Sequence, residues 1–252
     1  MLTNAFFKMW MIILLCVLFF SFYLIIDNTH AQSDIIKIIP TDDAYVIADL
    51  NDKIDVSGLK QTNSGSDELI NMISAWNITE NQSTVVSVAY LKFDLSEYET
   101  ESIQTATLYM FAKDVVLDNS PKNIALIFVD DDNWNESEIT YLQRPFFSTT
   151  IDAISVISEP NKWYSWDITE VIKKNKDSEI SLALTFETGK DFTSDLVTFY
   201  SKESNITENV PYLEIKYSDQ QPTGYIQYII IGMIIVGVIV FVVLKYLRRA
   251  KG

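Results

Sequence analysis

The stretch "VAYLKFDLS", residues 88–96, decides the fold class of this chain. Every second side chain in it is apolar, and these side chains would share one face of an extended strand: Ala89, Leu91, Phe93 and Leu95. The residues between them would share the other face: Tyr90, Lys92 and Asp94. A period of two residues matches the alternation of side chains along a strand and differs from the 3.6-residue period of a helix. The stretch therefore predicts a β-strand with one face in a hydrophobic core.

Other stretches repeat this pattern further along the chain. The apolar face consists of Ile180, Leu182, Leu184 and Phe186 in "ISLALTFE" (180–187), and of Leu213 and Ile215 in "YLEIKY" (212–217). Two more stretches, "ATLYMFA" (106–112) and "IALIFV" (124–129), are apolar on both faces, which is typical of central strands. Together the four stretches predict an all-β fold, a two-layer antiparallel β-sandwich.

Between residues 32 and 223, only two stretches have helical character. "DITEVIKKNK" (167–176) has Asp167 or Thr169 as a helix N-cap and lysines in its last turn, so it predicts a short connecting helix. "SDELINMISAW" (66–76) places its apolar residues near helical spacing but fits a strand equally well, and the sequence leaves this alternative open.

The first residues of the chain have the pattern of a secretory signal. The apolar run "WMIILLCVLFFSFYLII" (10–26) follows Lys8 and leads to Ala31, which has the small side chain that a signal peptidase requires. We therefore predict a signal peptide over residues 1–31, with an uncleaved signal-anchor helix as the alternative.

The end of the chain has the pattern of a membrane anchor. "YIQYIIIGMIIVGVIVFVV" (225–243) is long and apolar enough to cross a bilayer, and the basic "LKYLRRAKG" follows it at once. The predicted segments are a β-sandwich at 32–217, a linker at 218–224, a transmembrane helix at 225–244 and a basic tail at 245–252. We thus expect a single-pass protein of the cell membrane with its sandwich outside the cell and its C-terminus in the cytoplasm.

The predicted extracellular part is strongly acidic. Between residues 32 and 223 there are 14 basic and 33 acidic residues, a net charge near −19. Such a surface repels nucleic acids and anionic polymers. We therefore expect no nucleic-acid partner.

The sequence also argues against catalysis. Cys16 and His30 are the only cysteine and the only histidine, and both lie in the predicted signal peptide. Without them the mature chain has no disulfide, no cysteine or histidine zinc site, no cysteine nucleophile and no Ser-His-Asp triad. The acidic residues are too many for one pair to be singled out as the two acids of a glycosidase. We expect a noncatalytic protein with no catalytic residues.

Several motifs follow one another in an order that resembles a known family. They are "PTDDAYV" (40–46), "AYLKFDLS" (89–96), "ATLYMFA", Trp134-x-Glu136-x-x-Ile139-Thr140 followed by Pro145, "WYSWDIT" (163–169), "FYSKE" (199–203) and "PYLEIKY" (211–217). Their order resembles the DNRLRE domain, also classed as carbohydrate-binding module family 96. The resemblance implies a jelly-roll-like β-sandwich of secreted and surface proteins in archaea and bacteria, with polysaccharide binding ascribed to some members. This chain departs from the family in the longer stretch before "AYLKFDL" and in lacking the residues that name the domain.

The stretch "DDDNWNESEITYLQRP" (130–145) fits a metal loop, a sugar-contacting loop, a glycan attachment point or a solvated turn. Its family motif favours a structural role, with Trp134 closing one end of the sandwich and with Glu136 and Thr140 hydrogen-bonded to turn backbone. Clustered carboxylates supply the oxygen ligands that calcium prefers. The candidate ligands of a structural calcium ion are Asp42, Asp43, Asp130, Asp131 and Asp132.

The aromatic cluster of "NKWYSW" (161–166) is the predicted ligand site. Sugar binding needs aromatic faces beside groups that hydrogen-bond to hydroxyls. The candidate residues are Trp163, Tyr164, Asn161 and Lys162. Strand alternation would send Trp163 and Ser165 to one face and Tyr164 and Trp166 to the other, so part of the cluster belongs to the core.

Four asparagines lie in Asn-x-Ser/Thr sequons and are predicted glycan acceptors: Asn77, Asn81, Asn135 and Asn205. The sequence as a whole predicts a membrane-anchored domain that binds polysaccharide or another glycan at the cell surface. The alternative is a structural or protein-interaction module of the cell envelope, with envelope proteins as partners and no sugar site.

Overall fold

The structure, a computed structural model, describes residues 35–49, 61–77, 82–118, 121–175, 177–187 and 194–217, together with Gly232, Ile234, Gly237, Phe241 and Lys245. The strands belong to one compact unit, Asp34–Tyr217. They are β1 (Ile35–Ile38), β2 (Asp42–Asp49), β3 (Leu69–Asn77), β4 (Gln82–Asp94), β5 (Ile103–Val116), β6 (Lys122–Val129), β7 (Ala153–Ile157), β8 (Lys162–Asp167), β9 (Glu179–Phe186), β10 (Asp195–Tyr200) and β11 (Tyr212–Tyr217). The α-helix α1 (Thr169–Lys174) and two 3-10 turns, Thr100–Ser102 and Thr207–Asn209, lie between strands.

All the strand pairings of the described chain are antiparallel, which confirms the predicted all-β antiparallel class, but the strands form one 11-stranded sheet and not two separate layers. The hydrogen-bonded order is β1-β11-β5-β10-β3-β4-β9-β6-β7, with β2 paired to β4 and β8 paired to β5. Strands from both ends of this path, such as β11 and β6, contribute side chains to one core cluster. The sheet is therefore curled around its core.

Two long strands make this curl possible. The 13-residue strand β4 pairs with β2 along one edge, and along its other edge it pairs first with β3 and then with β9. The 14-residue strand β5 pairs in the same way with β8 on one edge and with β11 and then β10 on the other. Because each long strand changes partner along one edge, the twist of the strands accumulates into strong curvature.

The predicted alternation places the core correctly. The apolar faces of β4, β9 and β11 all lie in the main core, with Phe93, Leu182 and Leu213 fully buried. The opposite face of β4 differs from its prediction, because Tyr90 and Lys92 are buried too. A second hydrophobic cluster, formed with residues of the loop after β6, covers that face.

We call this loop, residues 130–147, the strap. Its Trp134 and Ile139 pack with Tyr90 and Val46 in the second cluster. The Trp134 indole N–H donates a hydrogen bond of 2.9 Å to Ser181 Oγ, and its ring meets that of Tyr90 edge-on at 5.8 Å. Trp134 is thus buried, as the motif indicated, but it covers the outer face of β4 instead of closing one end of the sandwich.

The two stretches with helical character have different outcomes. The predicted helix is α1, but its N-cap is Ile168 and not Asp167 or Thr169. Just before the helix, Asp167 Oδ1 accepts hydrogen bonds from the amide and the hydroxyl of Thr169 at its start. These hydrogen bonds hold the pKa of the Asp167 carboxyl below its usual value. Most of the ambiguous stretch 66–76, from residue 69 onward, belongs to β3, whose pairing with β4 and β10 selects the extended conformation.

The predicted terminal segments fall mostly outside the described residues. This applies to the signal peptide (1–31), to the linker (218–224), and to the tail (245–252) apart from Lys245. Of the predicted transmembrane helix, 225–244, the structure describes Gly232, Ile234, Gly237 and Phe241, which are helical and exposed. Within the part of the chain that the structure describes, no helix has the length and apolar character needed to cross a membrane.

Candidate functional site

Five aromatic side chains form a continuous row on the outer face of the sheet, across β8, β5, β10 and β11. We call this row the aromatic strip, and it consists of Tyr109, Phe111, Trp163, Tyr200 and Tyr212. Each of these five residues is half-buried and keeps part of its surface exposed to solvent. The strip is therefore a surface that a ligand can reach.

The rings of the aromatic strip support one another. Trp163 meets Phe111 at 5.4 Å and Tyr212 at 5.2 Å between ring centroids, both edge-on. Tyr212 stacks on Tyr109 at 5.1 Å, and Phe111 lies 5.9 Å from Tyr200. Contacts of this kind restrain the rings before any ligand arrives.

Strand register explains why these rings meet. Phe111 pairs with Trp163 across the β5–β8 ladder, and Tyr109 pairs with Tyr212 across the β5–β11 ladder. The alternate residues of β5 point into the main core, where Leu108 is fully buried. In an antiparallel sheet, paired residues point to the same face, so the four rings must share the outer face.

The sequence contains a signal for the aromatic strip. In "ATLYMFA" the residues between the core positions are Tyr109 and Phe111, where a solvated strand face usually has polar residues. The sequence alone suggested a strand buried on both faces, because it cannot say that this face of β5 stays uncovered. Tyr200 and Tyr212 were likewise not predicted as site residues.

Charged groups flank one end of the aromatic strip. The Lys37 ammonium lies 4.0 Å from the centre of the Tyr212 ring, an approach typical of a cation–π contact. On the same strand as Tyr212, Lys216 forms an ion pair of 3.3 Å with Glu214. These groups could offer hydrogen bonds to sugar hydroxyls beside the rings.

The structure separates the four predicted ligand residues. Trp163 belongs to the aromatic strip, whereas Tyr164 is only 6% exposed. The Tyr164 hydroxyl accepts hydrogen bonds from the main-chain amides of Ser158 and Glu159 and donates one to the Glu159 carbonyl. These hydrogen bonds hold the β7–β8 turn together. The strand alternation of "WYSW" predicted this division between surface and core.

Asn161 and Lys162 lie in and just after the same turn. Asn161 has φ of 58°, a left-handed conformation that asparagine tolerates better than most residues, and its amide donates to the Ala112 carbonyl at 2.7 Å. Lys162 is exposed and lies 4.0 Å from Glu159. Lys162 thus contacts the turn, whereas the main chain of Asn161 is bound to β5.

A second group of charged side chains lies between the strap and the turn after β10, and one of its four members is buried while the other three are half-buried. This ion network consists of Asp43, Glu136, Lys202 and Glu203. The Lys202 ammonium lies 2.8 Å from Glu136 Oε2 and also pairs with Glu203. Glu136 in turn accepts the main-chain amide of Asp43 at 3.1 Å, so it binds the backbone of strand β2 and not the turn backbone that was predicted.

The ion network strongly perturbs two pKa values. Burial raises the pKa of Asp43 to about 8, and the Glu203 carboxylate adds to the rise. Burial alone would favour neutral Lys202, but its hydrogen bonds to Glu136 and Glu203 raise its pKa above the ordinary value of 10.5. Burial, together with the Glu203 carboxylate, therefore favours a proton on Asp43 near neutral pH.

Three of the five aspartates predicted as calcium ligands have protein partners, whereas Asp132 Oδ1 is buried without a hydrogen-bond partner among the described residues. Asp42 accepts the Glu136 amide at 3.1 Å and lies 3.8 Å from the Lys92 ammonium. Asp43 accepts the Lys202 amide, and Asp131 accepts the amide and side chain of Asn133. Among the described residues, no three acidic, histidine or cysteine side chains are grouped so that they could hold a metal ion. Calcium binding stays a prediction.

Two of the four sequons can be described in full. Asn135 is exposed and accepts the Ser137 hydroxyl at 2.6 Å, and Asn205 is exposed and donates to Glu68. Asn77 ends β3, and Asn81 lies outside the described residues. Glycosylation of these residues stays a prediction.

Comparison with known proteins assigns the chain to the carbohydrate-binding modules. The model of carbohydrate-binding module family 96 matches residues 34–217, so the chain belongs to that family, as its motifs predicted. The chain is also 26% identical over 204 residues to a gellan lyase of Bacillus sp, a match that covers 78% of this chain and 7% of the lyase. It thus spans only a small part of that relative's length.

One solved structure with detectable similarity contains modules of a xylanase. It is the Clostridium thermocellum endo-1,4-beta-D-xylanase 10B, with its CBM22-1 and GH10 modules, complexed with xylohexaose. The identity is 11%, the TM-score is 0.27, and the match covers 71% of this chain and 29% of that one.

Proposed function

We propose that this protein is a noncatalytic module that binds a neutral polysaccharide along the aromatic strip at the cell surface. The observation that carries the proposal is the row of five half-exposed rings in mutual contact across neighbouring strands. Membership of carbohydrate-binding module family 96 supports the class of ligand.

The chemistry of the aromatic strip suits a sugar chain. The C–H groups of a pyranose ring pack favourably on an aromatic face, and adjacent polar groups hydrogen-bond to its hydroxyls. Because the rings are already held by one another, little side-chain entropy is lost when the ligand binds. A row of rings fits several units of an extended polysaccharide better than a single terminal sugar.

The charge of the protein favours a neutral ligand. Residues 32–223 have a net charge near −19, so a polyanion would be repelled at ordinary ionic strength. The gellan lyase relative is named for gellan, and that name alone does not assign gellan to this chain. We therefore expect neutral glucans, mannans or xylans to bind more tightly than gellan or alginate.

The proposed location follows from the terminal sequences. The apolar segments at 10–26 and 225–243 support an N-terminal signal and a C-terminal membrane anchor, which would keep the module outside the cell. An anchored module with this surface would hold polysaccharide against the cell envelope.

The test is a binding screen of the full-length chain, purified in a mild detergent, against immobilised neutral and anionic polysaccharides. We expect retention on at least one neutral polysaccharide, and the loss of most of that retention in Trp163→Ala. Phe146→Ala is the matched control, because Phe146 is 84% exposed but lies on the strap and not on the aromatic strip. Repeating the screen with calcium and with a chelator tests the predicted ion.

Two outcomes would contradict the proposal. One is that the folded chain binds none of the polysaccharides, which would favour the alternative of a structural or protein-interaction module. The other is that Trp163→Ala and Phe146→Ala bind equally well, which would place the ligand elsewhere on the domain.

A further inference from the structure

A groove of about 1030 Å³ lies on the domain where the edge strands β7 and β8 fail to join. Each of these strands pairs on one side only, β7 with β6 and β8 with β5, and no ladder joins them in the described chain. The turn between them is closed by the Tyr164 hydroxyl. Residues at the start of β7 and at the end of β8 line the groove. The groove is therefore an open seam in the curled sheet, and we call it the seam groove.

The seam groove has apolar walls next to an unprotected strand edge. Its lining includes Phe128, Ile151, Ile154 and Val171. On β7, "AISVI", Ile154 is 45% exposed and Val156 is 55% exposed. Edge strands usually avoid unwanted pairing through lysine, proline or a bulge, and β7 has no lysine or proline. Its free edge can therefore accept the backbone of another extended segment.

The charges around the seam groove indicate what kind of segment it would accept. Five carboxylates line it, those of Asp130, Asp152, Asp167, Glu170 and Asp177, against the two ammonium groups of Lys173 and Lys174. All seven side chains are exposed. A segment with positive charge would therefore be attracted and an acidic one repelled.

We infer that the seam groove binds an extended, lysine- or arginine-rich segment of a partner polypeptide, which adds a strand to the free edge of β7. Strand addition supplies affinity through main-chain hydrogen bonds and selects side chains through the neighbouring pockets. The alternating side chains of such a segment would contact the apolar wall on one face and the carboxylates on the other. This surface is distinct from the aromatic strip, so the inference does not depend on polysaccharide binding.

The test uses the full-length chain and a capped peptide of alternating lysine and valine, with a peptide of alternating glutamate and valine for comparison. We expect the lysine peptide to bind with a Kd below about 100 µM, and the glutamate peptide to bind at least tenfold more weakly. Amide hydrogen exchange should slow in residues 153–157 when the lysine peptide is present, because their free edge becomes hydrogen-bonded.

Charge-reversed variants separate local from general electrostatics. Glu170→Lys with Asp177→Lys should weaken binding of the lysine peptide at least tenfold. The control, Glu97→Lys with Glu208→Lys, changes the net charge equally at exposed positions outside the seam groove, and we expect it to lower affinity less than twofold. Ile154→Ser tests the apolar wall and should weaken binding without altering charge.

Several results would overturn the inference. They are no binding of the lysine peptide, equal losses in the two charge-reversed variants, and binding without slower exchange in 153–157. Slower exchange in 153–157 with a neutral oligosaccharide in place of the peptide would also overturn it, because the seam groove would then be a sugar site.

Discussion

The carboxylate of Asp43 accepts the main-chain amide of Lys202 at 2.7 Å, although the two residues are 159 positions apart in the chain. This hydrogen bond ties the start of β2 to the turn that follows β10. The side chain of Lys202 extends the link to Glu136 on the strap. Three motifs of the family therefore meet in one ion network, which joins the strap, the start of β2 and the turn after β10.

The ion network predicts an unusual dependence of stability on pH. Asp43 keeps its proton up to about pH 8 in the folded chain, whereas the unfolded chain loses it near the ordinary pKa of 3.8. Between these values the folded state binds more protons, so the free energy of unfolding falls as the pH rises. We expect the melting temperature to decrease from pH 5 to pH 8, where the carboxylates of Asp94 and Asp167, with lowered pKa values, are already ionised.

The variant Asp43→Asn tests this account. A carboxamide imitates the protonated acid, since its oxygen can accept the Lys202 amide and its nitrogen can donate to Glu203 Oε2, which has no donor among the described residues. In this variant the melting temperature should decrease much less between pH 5 and pH 8 than it does in the parent chain. In Asp130→Asn, at an exposed position, the melting temperature should decrease between pH 5 and pH 8 as much as in the parent chain. Equal pH profiles for Asp43→Asn and the parent would rule out Asp43 as the cause.

Gly65 should not tolerate a side chain. A Cβ atom there would lie 2.1 Å from the main-chain oxygen of Glu136, which is also the acceptor of the Asn63 side chain. Because the clash is with backbone, it cannot be relieved by a rotamer change, and we expect Gly65→Ala to lower the free energy of unfolding by about 2 kcal/mol or more. Ser66→Ala, at the next exposed position, should change it by less than about 0.5 kcal/mol. Denaturant unfolding measures both.

Trp134 should contribute to stability and Trp163 to binding. Trp134→Phe removes the hydrogen bond to Ser181 and leaves space beside Tyr90, so we expect a loss of about 2–3 kcal/mol in the free energy of unfolding. Trp163→Phe, at a half-buried position, should cost less than about 1 kcal/mol. Chemical denaturation of both variants checks this, and equal losses would show that the strap is not a structural element.

Asn161 should be required for its backbone conformation alone. Its left-handed φ of 58° suits glycine at least as well, so Asn161→Gly should leave the melting temperature nearly unchanged. Asn161→Val forces a β-branched residue into the left-handed region and should lower the free energy of unfolding by about 1–2 kcal/mol. If both variants unfold at the parent's temperature, the turn adopts another conformation in solution.

The sequence predicted those features that depend on local alternation. The core faces of β4, β9 and β11 follow from a period of two residues, and the division of Trp163 from Tyr164 follows from the same rule. The aromatic strip could not be predicted in this way, because it depends on which strands pair with β5. The burial of Lys92 also depends on the strap, a segment without regular structure that returns over the sheet through long-range contacts.

The same distinction applies to the acidic motifs. Asp43, Glu136 and Lys202 are widely separated in sequence, and only the fold brings them together. Clustered aspartates suggested calcium by their type, whereas the structure gives Asp42 and Asp43 amide and ammonium partners. The order and type of the residues thus identified the family motifs. The structural role of each motif depends on the contacts that its side chains make in the folded chain.

The most direct measurement is a titration of the full-length chain and of Tyr212→Ala with one neutral polysaccharide. This is the polysaccharide on which the full-length chain is retained best in the binding screen. Tyr212 contacts both Trp163 and Tyr109, so its removal interrupts the aromatic strip without opening the core. We predict that Kd rises about tenfold or more while the melting temperature stays within a few degrees of the parent's. An unchanged Kd would contradict the assignment of the aromatic strip as the polysaccharide site.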